Sequence, residues 1–401
     1  MYRRIIIMNQ RTQDDTLLAV EQSVRERYSE GVRRQELALC CPVEYDRKYL
    51  EALPAEIIER DYGCGNPSRF VREGDVVLDL GSGGGKICYI AAQIVGPRGA
   101  VIGVDMNDNM LALARKYREE LHEKFGGVRI QFHKRKIQDL AIDLDRVEEY
   151  LTRNPVSAVA DLQRLNEFID VLRRTEPMIQ DGSIDVVVSN CVLNLVKEED
   201  RTQLFREIFR VLKRGGRAAI SDIVSDEEVP DAMKNDPKLW SGCISGAFTE
   251  TGLLKAFEEA GFYGMEIVTR DEKSWQTING VEFRSVTVLA HKGKQGKCIE
   301  RNQAVMYKGP WKTVIDDDGH TLHRGARMAV CDKTYGIYTN PVGPYAKEVI
   351  GIEPYTPIPI ESAEEFNCKK SAIRHAHETK GLEYNKTEIA DHGVSGPDGC
   401  C

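Results

Sequence analysis

The sequence has no excess of basic residues. It sets 55 Lys and Arg against 63 Asp and Glu, a formal net charge of −8. Polyanion-binding chains carry a positive face. Nucleic acid is therefore excluded as the main partner, and the same sign argues against anionic membrane surfaces. No apolar run approaches the ~20 residues that span a bilayer as a helix. Ile5-Ile6-Ile7-Met8, behind Arg3-Arg4, is shorter than the ~7–15 residues of a signal-peptide core. No membrane partner is expected, and a cytoplasmic, monomeric protein is. Metal-ligand spacings are also scarce. There is no Cys-x-x-Cys pair, and the one His-x-x-His, His320 and His323, lies late in the chain, where both read as polar residues facing solvent.

What is present is an ordinary globular balance, with 41% hydrophobic and 29% charged residues over 401 positions. That length suits one large domain and a smaller one. From residue 75 short apolar runs alternate with helical stretches. Val76 to Leu80, Val101 to Asp105, Ile130 to His133, Ile184 to Ser189 and Ala218 to Ser221 read as strands. Ile87 to Ile94, Asn109 to Phe125 and Leu204 to Leu212 read as helices, the last closed by Gly215-Gly216. Such alternation implies crossover units and a parallel sheet covered on both faces. Two late strands, Met265 to Thr269 and Phe283 to Ala290, complete a sheet of about seven.

The expected organisation has three parts. Residues 1–70 form an N-terminal helical cap with a cysteine loop. Residues 71–295 form the α/β core, with a charged helical insertion or lid at about 143–182. Residues 296–401 form a smaller α+β domain with a tail ending in cysteine.

Asp79-Leu80-Gly81-Ser82-Gly83-Gly84-Gly85 follows a predicted strand and opens a helix. Glycine lets backbone amides approach a ligand closely. Asp105, at the end of the next strand, can accept from ribose hydroxyls. A Walker loop needs Gly-Lys-Ser/Thr, and here Lys86 precedes Ile87. A dinucleotide fingerprint needs a third glycine where this chain has Lys86. Val77-Leu78-Asp79-Leu80-Gly81 resembles the S-adenosylmethionine (SAM) methyltransferases, whose cofactor is cationic. That likeness implies a Rossmann-like seven-stranded SAM methyltransferase sheet. It places Ser189-Asn190-Cys191 beside the methyl group and Lys136-Ile137-Gln138-Asp139 along the adenine pocket.

Eleven cysteines are the unusual feature. Cys64, Cys191 and Cys243 lie in three loops that can converge above one sheet edge. Three thiolates suit a soft element better than Mg or Ca. Tyr62-Gly63-Cys64-Gly65, Asp79 to Gly83, Gly103-Val104-Asp105-Met106, Ser189-Asn190-Cys191 through Leu195, Ser221-Asp222-Ile223 and Gly242-Cys243 through Ala247 together resemble the arsenite methyltransferases. Tyr307 to Trp311, Asp316 to His320 and Arg327 to Asp332 are similar to that family's C-terminal region. The chain departs from the family pattern in the last positions of its glycine loop and in a longer insertion. The upstream cysteine is here a vicinal pair, Cys40-Cys41.

The resemblance implies SAM as cofactor, held by Tyr62, Asp79, Gly81, Ser82, Gly83, Asp105, Met106, Ile137 and Asn190. It implies As(III), delivered as a thiol adduct, on Cys64, Cys191 and Cys243, and methyl transfer without a general base. Cys40 or Cys41 is implied as a disulfide partner of Cys64, reopened by glutathione or thioredoxin acting as cosubstrate. Two alternatives stay open: a small-molecule C-, N- or O-methyltransferase with packing cysteines, and a SAM- and metalloid-binding protein without turnover. Cys88 reads as core, Cys400-Cys401 as a chelating or plain end, and Cys298, Cys331 and Cys368 carry no assignment.

Overall fold

The computed structural model describes residues 43–60, 63–368 and 372–380. Cys40, Cys41, Tyr62, Cys400, Cys401 and the first 42 residues of the expected helical cap lie outside them. The chain divides into two compact units, with the break between Gly293 and Lys294.

The first unit is built on one sheet. β1 (Val76–Leu80), β2 (Ala100–Asp105), β3 (Arg129–Lys134), β4 (Ile184–Asn190), β5 (Leu212–Ser225), β7 (Tyr263–Arg270) and β9 (Val281–His291) run in the order β3-β2-β1-β4-β5-β9-β7. The short strands β6 (Phe248–Thr249) and β8 (Gln276–Ile278) add to β5 and β9. The first five strands are parallel, and β9 is antiparallel to both neighbours. The expected seven-stranded path is present, with two short strands beyond it.

Alternate side chains go to opposite faces. Leu78, Leu80 and Val187 join one apolar cluster, whereas Val77, Val186 and Val188 join another. With both faces covered the central strands read as unbroken apolar runs. Each such side chain contributes roughly 1.5–3 kcal/mol on burial. Between the strands lie α1 (Lys86–Val95), α2 (Asp108–Lys116) and α3 (Arg118–Lys124). The single helix expected over 109–125 is thus two, parted at Tyr117.

The insertion consists of α4 (Leu144–Arg153) and α5 (Val159–Thr175). Val147 and Leu172 pack on Ala141 and Ile142, and Tyr150 stacks on Phe168 with ring centroids 4.1 Å apart.

α6 (Glu198–Val211) runs straight into β5, which corrects the glycine stop expected at 215–216. Ile184 pairs with Leu212 and Val186 with Arg217. The residues between bulge outward, with Gly215 at φ 86° and its N–H on the Lys292 carbonyl at 2.6 Å. Gly215 serves a bulge within the strand. α7 (Glu250–Glu259) packs Leu253 and Phe257 into the first apolar cluster.

His291, at the end of β9, is 4% exposed, and its Nε2 has no hydrogen-bond partner among the described residues. Burial, with the charges of Arg217 and Arg72, lowers its pKa to about 4. The unfolded chain therefore takes up a proton near pH 6.5 that the folded chain refuses until about pH 4. The associated stability is complete above pH 6.5 and is lost as pH falls through the folded value. His291→Gln is expected to flatten this acid limb. In denaturant titrations, the stability lost between pH 7 and pH 4.5 should shrink by roughly 2–3 kcal/mol. Equal losses in both proteins would refute the assignment.

The second unit holds an antiparallel sheet ordered β13 (Arg327–Ala329), β10 (Ala304–Tyr307), β14 (Val349–Ile352), and a hairpin of β11 (Thr313–Ile315) and β12 (Thr321–His323). α8 (Asp332–Thr339) supplies Tyr338 to a core with Val305, Tyr307, Leu322, Met328 and Val349. Among the described residues no helix is long and apolar enough to cross a membrane.

Candidate functional site

Where β1 ends the chain turns through Gly81, Gly83 and Gly85, with φ of 72°, 51° and 89°. A Cβ on Gly81 would also lie 2.4 Å from a methyl of Val192, so only glycine fits there. Gly81 and Ser82 donate their N–H groups to the Val104 carbonyl at 2.8 and 3.0 Å. Gly83 and Asn107 donate theirs to the two oxygens of Asp105, each at 2.8 Å. The loop is thereby stitched to the end of β2. Burial raises the Asp105 pKa, opposed by these amide donors.

One cleft opens at this end of the sheet. It is bordered by Asp79, Gly81, Ser82, Gly83, Asp105, Met106, Ile137 and Asn190, eight of the nine residues expected to hold the cofactor. Lys136 and Gln138 line it as well. Asp139 does not; it pairs with Arg135 and with Arg173 of α5. Sequence reading did not single out Arg60, Met110 and Lys197, which also line the cleft. None of the residues bordering it belongs to the 143–182 insertion, whose Arg173 draws α5 to Asp139.

Cys191 borders the cleft just beyond β4. It is joined to Cys64 by a disulfide, with Cα atoms 5.9 Å apart. The Cys243 Sγ reaches the Cys191 carbonyl at 3.3 Å. Cys243 thus lies beside Cys191, and the structure holds one disulfide and one thiol where three thiols were expected. The disulfide also differs from the one expected between Cys64 and Cys40 or Cys41, which lie outside the described residues.

Asn190 explains the pairing. Its Oδ1 accepts from the N–H of Cys64 at 2.9 Å and of Gly65 at 3.1 Å. Its Nδ2 donates to the Gly65 carbonyl at 2.8 Å. A Cβ on Gly63 would meet that Nδ2 at 2.3 Å. The Cys64 loop is therefore clamped to the end of β4. Asn190, expected as a cofactor residue, does this work as well.

Cys191 and Cys243 have positive φ, 59° and 62°, a conformation that costs a non-glycine residue of order 1–3 kcal/mol. Ile223, Ile244 and Phe283 pack around Cys64 and Cys191, which are buried and half-buried respectively.

Asp222 went unassigned in the sequence. Its carboxylate lies within 4.8 Å of both disulfide sulfurs and is 1% exposed. It accepts from the Leu193 N–H at 2.9 Å and from Asn194 Nδ2 at 2.8 Å. Burial lifts its pKa to about 6. Asn194 Nδ2 also reaches the Cys243 carbonyl at 3.3 Å, so one side chain ties the third cysteine loop to Asp222. The available signal was position: Asp222 sits toward the carboxyl end of a parallel strand, where open α/β sheets build sites.

The remaining candidates fall elsewhere. Burial and the adjacent Asp79 carboxylate push the Cys88 thiol well above its usual range, as suits a core residue. His320 pairs with Asp316 and His323 with Thr313; their ring nitrogens do not converge on a common partner.

A methyltransferase-domain family model matches residues 72–175 and 167–261, and a model described as a domain of unknown function matches 294–384. The chain is similar to the arsenite methyltransferase of Aquipseudomonas alcaligenes, 30% identical over 74% of this chain and 80% of that one. It is also similar to that of Mus musculus, 29% identical over 89% and 87%. An arsenic(III) S-adenosylmethionine methyltransferase from Chlamydomonas reinhardtii has the same fold, with a TM-score of 0.53 and 24% identity over 82% of this chain and 100% of that one. A glycine loop and acidic strand end facing one cleft, with Cys191 at its border, agree with those relatives: the chain belongs to the arsenite methyltransferase family.

Proposed function

We propose that this chain transfers the methyl group of SAM to trivalent arsenic held by Cys64, Cys191 and Cys243. The observation that carries this reading is the convergence of the three cysteines beside the glycine-loop cleft. The cleft fits SAM. The left-handed glycines let the main chain approach a ligand, and Ser82 Oγ is buried with no partner among the described residues. The carboxylates of Asp79 and Asp105 border the space, where a cationic group is welcome and a pyrophosphate is repelled. Bound there, SAM supplies an electrophilic methyl group on a positively charged sulfur.

The protein's own part begins with the disulfide. Two electrons from an external thiol, glutathione or thioredoxin, open Cys64–Cys191 by exchange through a mixed disulfide. A thiol adduct of As(III) then exchanges its three thiols for the three cysteines, each proton passing to the departing thiol. With SAM bound, the three cysteines would aim the arsenic lone pair at its methyl carbon, and transfer would leave S-adenosylhomocysteine. Because the nucleophile carries no proton, no general base is required. Holding the reacting atoms aligned at ~3–3.5 Å supplies ~7–11 kcal/mol. Arsenic then returns to the trivalent state by taking two electrons from a thiol pair, which closes as a disulfide.

The test is S-adenosylhomocysteine release from purified protein with SAM and glutathione, with and without arsenite. Release that depends on arsenite, together with methylated arsenic by mass spectrometry, is expected. Release indifferent to arsenite would favour an organic substrate. Tight binding of SAM and arsenite without release would leave a binding protein.

A further inference from the structure

Cys298, Cys331 and Cys368 all belong to the second unit, within the residues matched by a model described as a domain of unknown function. Their sulfurs lie within 4.8 Å of one another. Main-chain bonds hold the three segments together. The Phe366 N–H donates to the Cys298 carbonyl at 2.9 Å, and the Asp332 N–H to the Ile299 carbonyl at 3.0 Å. The Glu300 N–H donates to the Glu364 carbonyl at 2.8 Å. Cys331 caps α8: its Sγ accepts from the Thr334 N–H at 3.4 Å and meets the Thr334 hydroxyl at 3.2 Å. Cys331 is fully buried, and Cys298 and Cys368 are half-buried.

Burial pushes the Cys298 thiol up, but the neighbouring Cys368, Cys331 and Lys333 outweigh it and leave the group below its usual range. Burial and the neighbouring Cys298 and Cys331 push Cys368 up.

Among the described residues no fourth Cys, His, Asp or Glu completes the group. Structural zinc closes with four protein ligands. Trivalent arsenic is satisfied by three sulfurs, with its lone pair in the fourth direction. The product As(SR)3 is neutral, which suits a buried thiol, whereas zinc with three thiolates keeps a negative charge.

We propose that Cys298, Cys331 and Cys368 form a second trivalent-arsenic site, separate from the one assigned to methyl transfer. Arsenite enters by condensation: As(OH)3 and three thiols give As(SR)3 and three waters, with no change of oxidation state. The assignment is independent of the catalytic reading.

The experiment uses the full chain with Cys40, Cys41, Cys64, Cys191, Cys243, Cys400 and Cys401 changed to Ser, reduced with a phosphine and dialysed against arsenite. One arsenic per chain is expected, with three sulfur neighbours by X-ray absorption at the arsenic edge. Adding Cys368→Ser should lower affinity at least tenfold and reduce the sulfur neighbours to two. No bound arsenic would overturn the proposal, as would arsenic whose affinity ignores Cys368→Ser. Zinc that binds at one per chain and excludes equimolar arsenite would overturn it as well. Should the sevenfold variant fail to fold, Cys368→Ser is made in the otherwise unaltered protein. Arsenic per chain must then fall by one, and an unchanged stoichiometry sinks the idea.

Discussion

Cys243→Ser is expected to lower arsenite-dependent S-adenosylhomocysteine formation by at least ~100-fold, the scale set by misplacing a reacting atom by about an ångström. SAM affinity should stay within about twofold, because Cys243 does not border the cleft. Serine matches cysteine in shape. Its hydroxyl can still donate to the Cys191 carbonyl, as the thiol does at 3.3 Å. It meets the same backbone requirement at φ 62°. The fold should therefore survive, and the loss would report on sulfur chemistry. An oxygen in place of a soft thiolate binds arsenic weakly and leaves it on two sulfurs. Single-turnover measurement of S-adenosylhomocysteine, alongside calorimetric titration of SAM, separates the two effects. Full turnover by this variant would remove Cys243 from the reaction.

Asn190→Ala should be the most damaging change outside the cysteines. Cys64 is 5% exposed, and the substitution strips its N–H of the acceptor that now lies at 2.9 Å. An orphaned buried donor costs ~1–3 kcal/mol. The Gly65 N–H at 3.1 Å and carbonyl at 2.8 Å lose their partners as well. A total of about 2–4 kcal/mol is expected, and a melting point lower by roughly 5–12 °C. Turnover should fall together with stability, because the Cys64 loop is no longer fixed against Cys191. Retained melting point and activity would show that other contacts hold that loop.

The cofactor cleft was legible because its chemistry is local. The strand, the glycine loop, the helix and Asp105 occupy a single stretch of chain, and the spacing alone places them at one sheet edge. The convergence of Cys64, Cys191 and Cys243 was legible only through order along a familiar pattern. Their pairing was not, since nothing in a separation of 127 residues distinguishes a bonded partner from a neighbour. Asn190 illustrates a second limit. Its position at the end of β4 was readable, but its two-sided clamp on the Cys64 loop depends on how a distant loop folds back. Asp222 drew no assignment because a carboxylate at a strand end gains its meaning from what surrounds it. The Gly215-Gly216 stop failed for a related reason: left-handed backbone serves a strand bulge as well as a helix end. Cys298, Cys331 and Cys368 carried no signal because they come from three separate segments of the smaller unit.

The left-handed backbone at Cys191 and Cys243 has a consequence for how a substrate is received. A thiol on a mobile loop must be immobilised when it binds, and that ordering subtracts from affinity by ~0.5–1.5 kcal/mol per side chain. Here folding has already met the cost. Two of the sulfurs issue from strained, sharply defined turns, and the third from a loop clamped by Asn190. In the proposed reaction the turns that carry the sulfurs are set before arsenic arrives. Once the disulfide is opened, association would carry little entropic penalty, and the selectivity of the site would follow from these fixed turns rather than from any closing movement.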